Sequence, residues 1–302
     1  MGFTRAVPLS FTAHQGASFV ADPTSLQEIC ACFGQPVAGN PTQYMMERAF
    51  AQFGLEWRYL TIEVGPEELG DAIRGMKAMR FHGGNITKPH KVEVIQYLDR
   101  TTEAAALMGA VNCINREEDG LVGDNTDGKG FVQSLRGVTD PAGKTAVLLG
   151  AGGAARAIGV ELGLAGVADI TIVNRNPERG QELADLLGQK LNIASRFSQW
   201  EGDYEVPLGT DVLINATSIG LFDAEAYVPV KEDSLTPGMV VADVIFNPPE
   251  TRLLRFARER GCTTLDGLGM LVNQGVIGFK IWTGLDPDPA IMRDAVEEFL
   301  GI

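Results

Sequence analysis

The stretch Val147-Leu148-Leu149-Gly150-Ala151-Gly152-Gly153-Ala154-Ala155-Arg156-Ala157 constrains the fold of this chain most. An apolar run with strand character passes into a glycine-rich turn and then into a helix-forming segment. Glycines at 150 and 152 permit a tight turn and let backbone N–H groups approach a pyrophosphate. The helix N-terminus behind them adds a partial positive charge. The strict pattern is G-x-G-x-x-G; here Ala155 takes the third place, where a small residue suffices for helix–strand packing. Such turns also join strands to helices with nothing bound, so the turn alone leaves its ligand open.

The next strand narrows the choice. Asp169–Val173 leads into Asn174-Arg175-Asn176-Pro177-Glu178-Arg179. A dinucleotide site reads the adenosine ribose about 20 positions beyond the first glycine, where an acid accepts from the 2′-hydroxyl of NAD. Here the segment is basic, and Arg175 and Arg179 can flank a 2′-phosphate in charge-assisted bonds. A plain helix start, with Asn176 as N-cap and Pro177 at the first helical position, explains two of these residues but not the two arginines. The expected cofactor is NADP in preference to NAD.

A length of 302 residues accommodates two domains. The net charge of -14 disfavours long-range attraction to nucleic acid or acidic membranes, so an anionic cofactor needs local basic groups. Cys30, Cys32, Cys113 and Cys262 show no metal-like or C-x-x-C spacing. Cys30 and Cys32 would share one face of a strand as small buried hydrophobes. No metal is expected. No run approaches the roughly 18 apolar residues of a membrane span, and no signal-like core opens the chain. A reducing cytoplasm is the expected setting.

Strand and helix patterns alternate after an irregular arm at 1–24. Strands are expected at 28–33, 57–64 and 84–87, with helices at 43–54, 66–79 and 91–99. A hairpin follows at 111–116 and 120–123, then a helix from 127. The second unit reads strand 145–149, helix 153–165, strand 169–173, helix 177–188 and strands 211–214 and 239–245. A long apolar helix follows Asp266, and a last helix ends the chain. The fold class is α/β, with crossover helices on parallel sheets.

Polar motifs cluster at strand ends, where open α/β sheets bind ligands. They are Asn85–Lys91, Gly109–Asn112, Gly123–Gly128 and Asn215–Gly220. Together with Gly34–Ala38, Gly150–Ala154, Asn174–Arg179 and Asp266–Leu271, this ordered set closely resembles the shikimate dehydrogenase family, including its quinate and shikimate-dehydrogenase-like branches. The resemblance runs from about Glu28 to the C-terminus. It implies a substrate domain of residues 1–126 plus 268–302 and a Rossmann NADP domain of residues 127–267, with the C-terminal helices returning to the first. It also implies reversible NADP-linked reduction of 3-dehydroshikimate to shikimate, on the route to chorismate and the aromatic amino acids.

By the same resemblance Lys91 is the catalytic lysine and Asp127 its partner. Hydride transfer makes or consumes an alkoxide, which needs a positioned proton donor and acceptor. Read alone, Lys91 is a solvent-facing lysine at a helix start. Thr87, Asn112 and Gln274 match substrate contacts. Gly150, Ala151, Gly152, Gly153, Ala154, Asn174, Arg175, Arg179, Thr217, Ser218, Val244 and Gly267 match the cofactor side.

The chain departs from the family at one subsite. Asn40 and Thr42 stand where the family has a Ser-x-Ser pair, and Phe246 where it has a tyrosine; these groups hold the substrate carboxylate. Losing one donor to a carboxylate costs about 1.5–3 kcal/mol. Lys88 or His90 is the candidate for compensating charge. Two enzymatic readings follow: a shikimate-type dehydrogenase with a modified pocket, accepting shikimate or quinate, or a relative acting on another cyclic hydroxy acid. A third reading, a cofactor-binding regulator without turnover, leaves Lys91 and Asp127 unexplained. The expected partner is a small cyclic hydroxy acid, with the chain a monomer or homodimer.

Overall fold

The computed structural model describes residues 26–302, so the arm expected at 1–24 lies outside the described residues. Two six-stranded sheets organise the chain. The first is built from β1 (Ile29–Gly34), β2 (Arg58–Glu63), β3 (Gly83–Ile86), β4 (Arg100–Thr101), β5 (Cys113–Glu117) and β6 (Gly120–Asp124), in the order β2-β1-β3-β5-β6-β4. It is mixed rather than parallel, because the β5–β6 hairpin runs antiparallel and β5 pairs antiparallel with β3. The second comprises β7 (Thr145–Leu149), β8 (Asp169–Asn174), β9 (Ala194–Gln199), β10 (Val212–Asn215), β11 (Val240–Asp243) and β12 (Thr263–Leu265). Its order, β12-β11-β10-β7-β8-β9, is parallel throughout. The strand order reverses between β7 and β10. That crevice, at the carboxyl ends of the strands, is where doubly wound sheets take ligands.

Alternation along single strands feeds two cores at once. On β1, Cys30 and Cys32 face a cluster with Met45, Phe50 and Phe279, while Ala31 and Phe33 face another with Leu69, Ile73 and Met76. On β7, Ala146 and Leu148 face the cluster that holds Ile158 and Leu187, and Val147 and Leu149 face the one that holds Leu253 and Leu254. The cysteines are therefore the small buried hydrophobes expected.

The helices are α1 (Thr42–Gln52), α2 (Leu69–Ala78), α3 (Glu103–Met108), α4 (Thr126–Arg136), α5 (Gly153–Leu164), α6 (Pro177–Leu191), α7 (Arg252–Glu259), α8 (Gly267–Thr283) and α9 (Pro289–Leu300). The helix expected at 91–99 is only a 3-10 turn over Glu93–Tyr97, so Lys91 lies in the turn before it. The strand expected at 239–245 ends at Asp243. The C-terminal helices return to the first sheet. The indole of Trp282, on α8, donates to the carbonyl of Ile114 in that sheet at 2.9 Å, and α9 packs on α1. Helix α4 packs against both α5 and α8, joining the two sheets at the residues that follow Asp124. Among the described residues, no helix is long and apolar enough to cross a membrane, and no His, Cys, Asp and Glu cluster could hold a metal.

Candidate active site

Three segments bring the first constellation together. Lys91 comes from the turn after β3, where its carbonyl accepts from the Val111 N–H at 2.7 Å. Asn112 precedes β5, and Asp127 lies in the first turn of α4. That helix starts where it does because the Asn125 side chain caps it, accepting from the Asp127 N–H at 3.1 Å. Lys91 Nζ then meets Asp127 Oδ2 at 2.6 Å, with side chains 32% and 19% exposed. The pair is thus shielded but reachable. Asn112 fixes the other carboxylate oxygen, its Nδ2 donating to Asp127 Oδ1 at 2.8 Å. Asn112 Oδ1 accepts from the Thr126 N–H at 2.7 Å, and the Thr126 hydroxyl lies 3.5 Å from Gln274 Oε1. Lys91, Asp127, Asn112 and Gln274 therefore form one connected group.

Thr87 is held beside them by a backbone bond to Phe33, 2.9 Å long. Behind it runs a support that sequence reading missed. The buried Tyr59 hydroxyl donates to Asn85 Oδ1 at 2.6 Å, and Asn85 Nδ2 donates to the Asn112 carbonyl at 3.1 Å. An asparagine inside the otherwise apolar strand Gly83–Ile86 was the available signal.

The departures from the family pattern fall as follows. Asn40 Oδ1 accepts from the Thr42 N–H at 2.9 Å, and its Nδ2 lies 3.7 Å from Cys32 Sγ. Thr42 is buried, and Phe246 packs against the cluster of Met45, Leu268 and Val272. Burial pushes the Cys32 thiol up to about 12, against the opposing pull of Lys91, so this wall of the site is a neutral thiol. His90 is no source of compensating charge for a substrate. Its ring is buried, and Nε2 donates to the Val64 carbonyl at 2.7 Å. Lys88 is exposed, and no carboxylate holds it among the described residues.

The second constellation lies at the reversal point of the parallel sheet. Gly150 has φ +106°, which a side chain would strain, and its N–H donates to the Val173 carbonyl at 2.7 Å. A Cβ at Gly150 would come 3.2 Å from both the Ala216 carbonyl and Thr217 Cγ2. The turn therefore lies directly against the loop after β10. By contrast, a Cβ at Gly152 or Gly153 would meet nothing within 4 Å, so protein packing does not require glycine there. Gly152 is the N-cap of helix α5, which therefore starts with no side-chain cap on its N–H groups. Open space above free amides is what a bound phosphate needs. Ala155, fully buried, fills the helix–strand contact as expected.

A cavity of about 280 Å³ opens beside the turn, lined by Ala151, Gly152, Asn174, Arg175, Asn176 and Arg179. Asn176 does cap α6, accepting from the Arg179 N–H at 2.8 Å. The capping and basic readings of this segment thus hold together, because no carboxylate pairs with either guanidinium among the described residues. Ala154 sits in the first turn of α5. Thr217 is held by Asn215 Oδ1 through its N–H at 3.2 Å and its hydroxyl at 2.7 Å, with Ser218 exposed beyond it. Val244 N–H donates to the Asn215 carbonyl at 3.0 Å. Gly267 is buried against the Val244 and Ile245 carbonyls, and its N–H is already bonded to Ile245.

A phosphate-cradling turn on a parallel sheet, with an ordered lysine–carboxylate pair on a second sheet, defines a class: a dinucleotide-dependent oxidoreductase. Three family models match in chain order. They are the shikimate dehydrogenase substrate binding domain over residues 32–114, shikimate / quinate 5-dehydrogenase over 134–226, and the shikimate 5'-dehydrogenase C-terminal domain over 267–297. The chain is 41% identical over 277 residues to a shikimate dehydrogenase (NADP(+)) of Moorella thermoacetica, covering 90% of this chain and 94% of that protein. Among solved structures it is 52% identical to a ligand-free 5-ketofructose reductase of Gluconobacter sp. strain CHM43, with a TM-score of 0.89, covering 91% and 99% of the two chains. It is 33% identical to a shikimate 5-dehydrogenase of Thermus thermophilus in complex with NADP(H) and shikimate, with a TM-score of 0.80, covering 91% and 100%. The chain belongs to the shikimate dehydrogenase family, and it is an NADP-dependent oxidoreductase.

Proposed function

We propose that this chain catalyses the reversible NADPH-linked reduction of a ketone with a hydroxyl on a neighbouring carbon, with Lys91 and Asp127 handling the proton. The observation that carries this is the 2.6 Å Lys91–Asp127 contact with its second carboxylate oxygen held by Asn112. NADPH, when bound, supplies the hydride to the carbonyl carbon. Lys91 Nζ donates to the ketone oxygen as charge builds there and passes it a proton, and Asp127 orients the ammonium. Asn112, Thr87 and Gln274 present polar groups to the substrate hydroxyls. Gly150, Gly152 and the amides of α5 hold the pyrophosphate. Asn174, Arg175 and Arg179 hold the 2′-phosphate, and Thr217, Ser218 and Val244 line the nicotinamide end. Residues 127–267 serve the cofactor, and the remaining described residues the substrate.

Two substrates stand behind this reaction. The curated relatives are named for shikimate, and the hydroxyl-facing residues Thr87, Asn112 and Gln274 fit that ring. The carboxylate end favours a neutral polyhydroxy ketone of the 5-ketofructose class. There Asn40 gives its oxygen to the Thr42 N–H and one amide hydrogen to Cys32, leaving one neutral donor, Thr42 is buried, and Phe246 has no donor. A carboxylate would lose about 1.5–3 kcal/mol for each missing charge-assisted bond, whereas a hydroxyl loses little. The solved structure at 52% identity, named as a 5-ketofructose reductase, supports the same choice.

The test is the decay of NADPH absorbance with purified protein and a panel of ketones that includes 3-dehydroshikimate and 5-ketofructose. Turnover of one of them is expected. Tight NADPH binding with no turnover of any ketone would refute the enzymatic reading and favour a cofactor-binding regulator.

A further inference from the structure

Asn215 and Asp243 end the neighbouring parallel strands β10 and β11 in register, opposite one another. Both are essentially fully buried. Asp243 collects three neutral donors. Its Oδ1 accepts from Asn215 Nδ2 at 3.0 Å and from the Ile245 N–H at 3.1 Å, and its Oδ2 accepts from the Thr251 hydroxyl at 2.8 Å. Each donor ties down a different segment. Asn215 holds both Thr217 groups and also donates to the Ile219 carbonyl at 3.3 Å. Ile245 N–H follows Val244 directly. Thr251 caps α7, accepting from the Leu254 N–H at 3.4 Å. A second strut, the Phe222 N–H to the Asn247 carbonyl at 2.8 Å, joins the same two loops further out.

Oδ1 must be an acceptor, because Asn215 Nδ2 and the Ile245 N–H both point at it. An asparagine that keeps its oxygen there puts an NH₂ group in the place of Oδ2, so the Thr251 hydroxyl, which already accepts from Leu254, has to turn its proton away and loses its donor bond. Burial raises the carboxyl to about 6, only partly offset by bonds from Ile245, Thr251 and Asn215. Holding a carboxylate in this place is thus costly, which marks the position as more than filler.

We propose that Asp243 is a positioning residue for hydride transfer, locking Thr217 and Val244 in the register that sets the nicotinamide against the substrate carbon. It touches neither substrate nor cofactor. The inference rests on the reading above that Thr217 and Val244 line the nicotinamide end. The adenosine end is anchored elsewhere, by Arg175 and Arg179, so disturbing Asp243 separates binding from chemistry.

The experiment compares Asp243→Asn with wild type in kcat, in NADPH affinity by fluorescence, and in the kinetic isotope effect with deuterated NADPH. The expected result is a kcat reduced by about tenfold or more with a larger isotope effect, while NADPH affinity changes by less than about threefold. Thr251→Val and Thr251→Ser give a second test should Asp243→Asn not fold. Valine lowers kcat in the same manner, and serine, which keeps the hydroxyl, restores it. Wild-type kcat and isotope effect in Asp243→Asn, or in Thr251→Val, would overturn the proposal even if thermal stability fell. Absence of ketone turnover in the wild-type enzyme would overturn the parent reading, and this inference with it.

Discussion

Arg175→Asp gives the sharpest test of the cofactor site. The guanidinium is exposed at the rim of the cavity beside Gly152, with no carboxylate partner among the described residues, so the substitution disrupts no internal ion pair. Loss of one charge-assisted bond to a 2′-phosphate costs about 1.5–3 kcal/mol. A carboxylate placed about 4 Å from that phosphate adds roughly 1 kcal/mol of repulsion per charge pair in a water-like medium, reduced further by salt. The sum is about 3 kcal/mol, or on the order of 100-fold in affinity. NAD has a 2′-hydroxyl there and loses nothing comparable. The ratio of kcat/KM with NADPH to that with NADH, measured at fixed ionic strength, should therefore fall about 100-fold. A ratio unchanged within about threefold, or an equal loss with both cofactors, would refute the assignment of this basic segment to the 2′-phosphate.

Three further outcomes follow from the geometry. Lys91→Met should lower kcat by about 10²–10⁴-fold while NADPH affinity, measured by fluorescence titration, stays near wild type; a modest kcat loss would remove Lys91 from the proton step. Gly130→Ala places a Cβ 2.6 Å from the Gln274 backbone nitrogen and 2.8 Å from the Met270 carbonyl, backbone that cannot turn aside. It should cost about 1–3 kcal/mol in urea unfolding despite alanine's better helix propensity, and should raise the KM for the ketone by moving Gln274. Burial raises the Asp124 carboxyl, but bonds from Lys129, Thr102 and the Asn125 N–H outweigh it and hold the group below its ordinary value. Its stabilising contribution is present above the unfolded carboxylate range near pH 4 and is lost as pH falls through the lowered native value. Lys129→Met should therefore move acid unfolding to higher pH, and an unchanged acid transition would sink that reasoning.

The four central strands of the sheet carrying the glycine-rich turn, β7, β8, β10 and β11, were legible because they are short, mainly apolar runs bounded by turn residues. The elements that escaped have weak local signals. Helix α3 is a short alanine-rich turn-and-a-half, β9 is a polar edge strand, and the arginine-rich α7 spans only Arg252–Glu259. Lys91 and Asp127 were legible only through family resemblance, since 36 positions separate them and nothing local says that they touch. Asp243 and Tyr59 were harder still, because their roles arise from partners on other strands or loops. Pairing Asn215 with Asp243 needed the β10–β11 register. The reverse error, His90 as a charge near the substrate, came from reading sequence proximity to Lys91 as shared orientation. The chain turns the imidazole inward to Val64 instead.

Lys91 and Asp127 are in contact, while the neighbouring Asn40, Thr42 and Phe246 offer few free donors to a carboxylate. The most direct measurement is the ratio of kcat/KM for 5-ketofructose to that for 3-dehydroshikimate, with NADPH, on the wild-type enzyme and on the triple variant Asn40→Ser, Thr42→Ser, Phe246→Tyr. The expected ratio is well above one in the wild type and falls by about tenfold or more in the triple variant as carboxylate donors return. A wild-type enzyme that prefers 3-dehydroshikimate, with a ratio the triple variant does not shift, would contradict that expectation.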